Sequence, residues 1–470
     1  MLSLVPYPLR SGWRPLAALA ALLAGGVMRA ELTEVAGTLP EDYLPELKVI
    51  IATAMKQSPQ VILKEIEVAQ WEARKLGVDS LRMPSVGGHI DYASNQTAVS
   101  DNSSTRSRSN GLFYDFSAAQ PLFYWGALEN QSKVAQVGVA IAQKSYLEAR
   151  RTLAIALRQQ YLALIAQKSF VRQARFALKL QQADLDLSAD KFAHGTASEG
   201  EVAGKKLTLE DSSLRVARAE ADFVSMRRAF ARLAGMGDLA EDTLPVEIPS
   251  PAYSAETAAR LLAVVLRDGA KSTFAAEVAQ LRIQEADLNY RIARVRRLPK
   301  FNAQAGYSVQ NTTNASSTFV SQTGISQQTL GVVGNWNIFD SYATKGAKLD
   351  ALETKRLRER ELQTALEQAM DNAQKLERDL ALDAREMNQA EIRRALALGG
   401  VDRIKEEIDR GNAPPTAADN AKSNLYVAEF NSANARAKFL WHWSEFVSLA
   451  AADPMVNTST PSNAREKRKK

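Results

Sequence analysis

Residues 82–97 read RMPSVGGHIDYASNQT, and residues 297–312 read RLPKFNAQAGYSVQNT. Arg82, Pro84, Tyr92 and Thr97 of the first stretch return as Arg297, Pro299, Tyr307 and Thr312 of the second. Both stretches sit inside a longer repeat displaced by 215 to 216 positions. Phe123 returns as Phe339 and Gly195 as Gly411, and the row Ala217, Ala219, Ala221, Phe223, Phe230, Leu233 returns as Ala433, Ala435, Ala437, Phe439, Phe446, Leu449. Copies this long, joined by a segment with Pro245, Pro249 and Pro251, describe a duplicated module building one pseudo-symmetric body, not a solenoid of short repeats. The expected boundaries are 31–244 for the first copy, 245–252 for the linker and 253–452 for the second.

Outward from the two prolines the hydrophobic period changes. Val86, Gly88, Ile90 and Tyr92 alternate with other residues, a polar stretch runs from Asn95 to Asn110, and Leu112, Tyr114 and Phe116 alternate again before Pro121. That predicts strands at about 85–99 and 108–121. In the second copy Phe301, Ala303, Ala305, Tyr307 and Val309 share one parity, and a Ser/Thr/Asn-rich loop runs to about Gln328. Beyond it Leu330, Val332, Trp336 and Ile338 oppose Asn335 and Asn337. Strands are expected there at about 300–312 and 328–340. Such alternation suits transmembrane β-barrel strands, and it equally suits a soluble antiparallel sheet packed on helices. Sequons at Asn95, Asn102, Asn311 and Asn314 read as polar loop composition.

The helices separate the two readings. Residues 46–82 show helical spacing interrupted near Pro59 and closed by Pro84. No proline occurs between Pro121 and Pro245, or between Pro299 and Pro414. A helix at about 127–193 would extend roughly 100 Å at about 1.5 Å per residue, and its counterpart is expected at about 343–398. Leu157, Leu164, Val171, Leu178, Leu185 and Phe192 stand seven apart, the spacing of a coiled-coil seam. The second copy reads Ala373, Leu380, Met387, Arg394, Val401 and Ile408, interrupted only by Arg394. Each helix turns at a glycine, Gly195 or Gly411, and a second helix returns. Helices of this length suit a tube wall or a fibrous rod.

Composition excludes much else. Apolar residues make up 46% of the chain, enough for a sizeable core, and the net charge of +6 owes much to the run Arg465–Lys470. A terminal basic run inside a polar tail, 453–470, is a solvated segment and not a nucleic-acid footprint. With no cysteine, disulfides, thiolate chemistry and a lipidated cysteine anchor are absent. Arg10 and Arg14 precede an apolar stretch from Leu16 to Met28, which reads as a secretory signal over 1–30. His89, His194 and His442 are scattered, and no P-loop, dinucleotide fingerprint or nucleophile elbow occurs. Asp379, Asp383 and Glu386 read as solvated coiled-coil faces. No catalytic residue, cofactor or metal site is expected.

The order helix, strand, polar loop, strand, long helix, glycine turn and return helix, given twice, resembles the TolC family of outer-membrane efflux proteins over residues 40–452. Pro121-Leu122-Phe123-Tyr124-Trp125-Gly126 and Trp336-Asn337-Ile338-Phe339-Asp340-Ser341 look like the family's LFDGG start of the long helix, each degraded at one end. Phe192-Ala193-His194-Gly195-Thr196 and Ile408-Asp409-Arg410-Gly411-Asn412 look like its hydrophobic-x-x-Gly turn. The resemblance implies an α+β membrane protein: a homotrimer sharing a twelve-stranded β-barrel in the outer membrane and a long periplasmic α-helical barrel. It implies a passive duct for efflux or type I secretion, with a periplasmic adaptor and an inner-membrane pump as partners. Adaptor contacts then fall at His194, Gly195, Thr196, Arg410, Gly411 and Asn412, and the barrel-to-helix junction at Phe123, Gly126, Phe339 and Asp340. Carboxylates that ring the family's aperture are replaced here by Ala417 and Asn420, which leaves Asp409 and Asp419 as aperture candidates. The competing reading is a periplasmic coiled-coil adaptor or scaffold without a pore.

Overall fold

The computed structural model describes residues 39–99, 105–267, 269–315 and 319–457. The expected leader, Asn102 and the basic run at 465–470 lie outside the described residues. The first copy is α1 (Pro40–Tyr43), α2 (Pro45–Gln57), α3 (Pro59–Ser80), β1 (Ser85–Val99), β2 (Thr105–Phe123), α4 (Ala127–Ala193) and α5 (Glu199–Ala234). The second is α6 (Ala255–Arg267), α7 (Phe274–Val295), β3 (Lys300–Ala315), β4 (Val320–Asn335), α8 (Ala343–Asp409) and α9 (Thr416–Leu449), then α10 (Pro454–Asn457). The duplication survives as element length: α3 and α7 have 22 residues each, α4 and α8 have 67 each. Helix α8 continues past residue 398 to Asp409, through Gly399 and Gly400. Each glycine costs a helix roughly 1 kcal/mol against alanine, and the buried Val401 beyond them gives the extension an anchor.

The chain divides into two compact units. One comprises residues 65–145 and 275–365 and contains a four-stranded antiparallel sheet in the order β1-β2-β3-β4. Register places Val86 opposite Ala118, Ile90 opposite Tyr114 and Tyr92 opposite Leu112. It then sets Phe116 against Tyr307 and Ala305 against Leu330. The apolar parity of every strand therefore falls on one face. Two expectations need correction. Strand β4 begins at Val320, not near 328, and ends at Asn335, not 340; β2 begins at Thr105 and continues to Phe123. The polar stretches are mostly strand because a ladder is made by main-chain groups, which Ser, Thr, Asn and Gln supply as well as any residue. Beside the sheet, Asp79 of α3 accepts from Ser132 of α4 and from Lys75. Trp71 fills the space a Cβ on Gly138 would need, so the two helices approach closely there. In the second copy Lys355 of α8 bonds Asp287 of α7 at 2.8 Å.

The other unit comprises residues 39–64, 146–274 and 366–457 and is helical. Its core joins Leu153, Leu157, Leu164 and Ile165 of α4 with Phe230 of α5, Leu380 of α8, and Phe439 and Phe446 of α9. In the α4 row, Leu157, Leu164 and Val171 are buried, Leu178 and Leu185 half-buried, and Phe192 exposed. Asp383 corrects the solvated reading of its carboxylate: it is buried, meets the His442 imidazole at 2.5 Å and the Lys438 ammonium at 3.0 Å. It stands on the stripe of α8 that faces α9, where a carboxylate persists only if paired. Arg394 interrupts the heptad row because the interdomain segment crosses there. Its guanidinium bonds Glu247 at 2.6 Å, while Arg436 reaches the Ile248 carbonyl. Ile248 and Leu244 are fully buried, so the proline-bearing linker is part of the core.

At the heart of this unit Arg158 of α4 is wholly buried and bonded to two buried carboxylates. It donates to Glu41 of α1 at 2.9 and 2.5 Å and to Asp453 at 2.6 and 3.1 Å. Burial by itself would lower the Arg158 pKa, but the two carboxylates hold it above the ordinary arginine range. Asp453, assigned by sequence to the solvated tail, is therefore a core residue. Removing one member of a buried network strands the others as uncompensated charges. Arg158→Met is expected to destabilise the helical unit by about 3–5 kcal/mol, read by chemical denaturation of the helical circular dichroism signal. A loss too small to measure would remove the clasp from the stability argument.

Acid should loosen the linker attachment. Burial would raise the Glu391 carboxyl, but hydrogen bonds from Arg436 and Ser432, with the charges of Arg436 and Arg394, hold it below the ordinary glutamate value. A folded-state pKa depressed in this way adds stability that is complete above the unfolded value and is lost as pH falls through the folded one. Below about pH 4 the native chain should therefore lose stability more steeply than Glu391→Gln. Identical acid slopes would show that Glu391 is not the group responsible.

Candidate functional site

Among the described residues, three kinds of place are candidates for contact with something other than the chain itself: the two helical turns, the two strand-to-helix junctions and the faces of the sheet. At the first turn, α4 closes with the Thr196 amide donating to the Lys191 carbonyl at 2.8 Å and the Gly195 amide to the Phe192 carbonyl at 2.9 Å. Gly195 has φ +75°. The second turn repeats both bonds, Asn412 to Glu407 at 2.8 Å and Gly411 to Ile408 at 2.9 Å, again with φ +75°. This paired 6→1 and 5→2 closure needs a residue in the left-handed region at the glycine. His194 Nδ1 lies 2.7 Å from the Asp190 carbonyl oxygen, so the imidazole caps its own helix.

Past the glycine the two turns diverge. Ser198 caps α5, its hydroxyl accepting from the Glu201 amide at 3.2 Å, with Glu199 and Glu201 in the first turn where the helix dipole favours negative charge. Helix α9 instead starts behind Pro414 and Pro415 with no side-chain cap. Arg410 and Asn412 are exposed, as are His194 and Gly195, whereas Thr196 is exposed on the first side and tied to the Lys191 carbonyl through its hydroxyl. Asp409 is the last residue of α8 and exposed; Asp419 is half-buried in the first turn of α9. Within one chain they flank Gly411 from either side.

At the first junction Trp125 and Gly126 both take positive φ, and 216 positions on so do Ser341 and Tyr342. Backbone geometry is repeated here although side chains are not, which sequence comparison could not show. The Phe123 and Trp125 rings meet edge to face at 4.7 Å, Trp125 Nε1 donates to the Pro299 carbonyl at 2.7 Å, and the Tyr124 hydroxyl donates to Asn302 at 3.0 Å. At the second junction Asp340 accepts from the Thr344 amide at 2.9 Å and from its hydroxyl. The Thr344 hydrogen bonds, outweighing desolvation, hold the Asp340 carboxyl below the usual carboxylate range. Phe339 and Tyr342 are exposed.

The sheet has two unlike faces. One carries Val86, Ile90, Tyr92, Leu330 and Val332, of which Leu330 is 89% and Val86 78% exposed. The opposite parity carries His89, Asp91, Asp115, Gln304, Ser308 and Gln327. Alternation in the sequence marks the apolar parity. The polar wall is the complementary set of positions, and it becomes a surface only when the strands are paired. Among the described residues no group of His, Cys, Asp or Glu is arranged to hold a metal, and no helix is long and apolar enough to cross a membrane.

A four-stranded antiparallel sheet with one apolar face and two pairs of very long helices make up a fold shared with solved outer membrane proteins. It superposes on the VceC outer membrane protein of Vibrio cholerae with a TM-score of 0.61 at 15% identity, covering 88% of this chain and 98% of that one. The CmeC outer membrane channel of Campylobacter jejuni gives 0.64 at 15%, covering 90% and 88%. The MtrE outer membrane channel of Neisseria gonorrhoeae, in its open state, gives 0.59 at 15%, covering 88% and 91%. A search of the curated proteins finds no match. The model of the outer membrane efflux protein family matches residues 50–236, most of the first copy of the repeat.

Gly195→Ala and Gly411→Ala are each expected to cost about 1 kcal/mol, the penalty of an L-residue in the left-handed region, since nothing lies within 4 Å of a Cβ at either position. Hydrogen exchange at the Thr196 and Asn412 amides should accelerate. Unchanged exchange would mean the turns do not depend on glycine.

Proposed function

We propose that this protein is an outer membrane efflux protein and acts as one third of a passive duct: three chains close a twelve-stranded barrel in the outer membrane, and their helices form an α-helical barrel in the periplasm. The observation that carries the reading is the sheet. Its apolar face is left exposed by the chain, its other face is polar, and β1 and β4 each have one unpaired edge. Open edges are not tolerated in lipid, where no water can satisfy main-chain groups. Closure by further copies satisfies them, and the polar face then lines the lumen. A pore-free periplasmic scaffold would account for the helices but would hold Leu330, Val86 and Ile90 in water.

On this reading the turns at His194-Gly195-Thr196 and Arg410-Gly411-Asn412 dock a periplasmic adaptor linked to an inner-membrane pump, of a tripartite efflux or type I secretion system. Asp409 and Asp419 stand near the aperture, and Phe123, Gly126, Phe339 and Asp340 form the collar where barrel becomes helix. Energy comes from the pump, and the pump selects the cargo. The test is to express the full chain, fractionate the membranes and record from planar bilayers. The expected result is outer-membrane protein with the detergent-corrected mass of three chains and discrete conductance steps. Recovery as a soluble periplasmic monomer would end the reading.

A further inference from the structure

Resting on the trimeric reading, we propose a specific pairing register for the seam between subunits: β4 of one copy against β1 of the next, with Gln328 opposite Gln96, Val332 opposite Tyr92, Gly334 opposite Ile90 and Trp336 opposite Gly88. The argument comes from the duplication. The hairpins β1–β2 and β3–β4 have registers that map onto one another with displacements of 215 and 216, for example Ser85 with Ala119 onto Lys300 with Asn335. The junction between the copies, β2 against β3, is therefore a template for the junction between chains. Shifting its pairs Leu112 with Asn311, Phe116 with Tyr307, Ala118 with Ala305 and Gln120 with Ala303 by the same displacements produces the four seam pairs.

Two independent observations agree with that register. Every seam pair joins positions of the apolar parity on both strands, so the apolar face continues across the seam, whereas a slip by one residue would turn one strand inside out. Large residues also meet glycine in consecutive pairs, Ile90 with Gly334 and Trp336 with Gly88. The second observation is a difference between the copies. Strand β2 continues to Phe123, and its last residues pair only with β3, because pairing with β1 stops at Ala119. The equivalent end of β4, residues 336–339, is not strand and leaves Trp336 and Phe339 exposed. The missing partner of that segment is the β1 edge of another copy. With it present, β4 lengthens to Phe339, which lies against Val86 as Phe123 lies against Phe301.

The chain has no cysteine, so pairs can be introduced cleanly at these exposed positions. Val332→Cys with Tyr92→Cys, and Gln328→Cys with Gln96→Cys, should oxidise in detergent micelles to covalent trimers. The crossed combinations, Val332→Cys with Gln96→Cys and Gln328→Cys with Tyr92→Cys, place the Cα atoms beyond the roughly 7 Å a disulfide can span. They should yield at least about tenfold less cross-linked product. Each single variant should yield none. Crossed pairs linking in preference to matched ones, or no linking in a preparation that still has the mass of three chains, would overturn the register and leave the trimer standing. No linking together with a monomeric mass would overturn the trimeric reading itself.

Discussion

Unpaired main-chain groups along the edges of β1 and β4 are the constraint on which the rest of this protein depends. An isolated four-stranded sheet is ordinary in water, where solvent satisfies its edges and one face can stay wet. It is untenable in a bilayer, where an unpaired amide or carbonyl costs several kcal/mol. On the proposed reading the apolar face, with Leu330 and Val86 exposed, meets lipid, and the edges then require more strands. On the same reading the two demands are met at different levels: side-chain parity in the sequence supplies the face, and association with further copies supplies the edges.

The helical unit solves a different problem, holding very long helices together with small residues and a few buried charges. Alanine permits close approach, as at the buried Ala154, Ala219, Ala373 and Ala435. The Arg158 clasp joins residues near both limits of the described chain to the middle of α4, and the Arg436 and Arg394 bonds fix the linker to α8 and α9. Buried ions of this sort contribute little net stability compared with apolar residues of equal volume, but they penalise any arrangement that separates them. That suits a duplicated chain, in which the copies could otherwise exchange places: the position of the second copy equivalent to Arg158 holds Gln374.

Symmetry is broken most clearly where the chain meets its surroundings. The two turns share one hydrogen-bonding pattern yet leave it differently, with a capped helix after Gly195 and a proline pair after Gly411. The junctions share positive φ angles yet differ in bonding, because only Tyr124 and Trp125 have a neighbouring strand within the chain to bond. The polar wall differs as well. His89, Asp91 and Asp115 belong to the first copy, and the equivalent positions of the second hold Gln304, Gly306 and Gly331.

By itself the sequence determined the repeat, the strand parity, the proline-free spans of the long helices and both glycine turns, because each is a local periodicity or a steric requirement of one residue. It could not show that β4 starts at Val320, since a polar strand and a polar loop have the same composition until a partner strand selects between them. Nor could it show that Asp383 and Asp453 are buried, because a carboxylate looks solvated until the cations that neutralise it, Lys438 and Arg158, are brought close by the fold. Arg394 looked like a flaw in a heptad row, and only tertiary structure put Glu247 of the linker against it. What the tertiary structure decided were pairings between residues far apart in the chain, which no local pattern encodes.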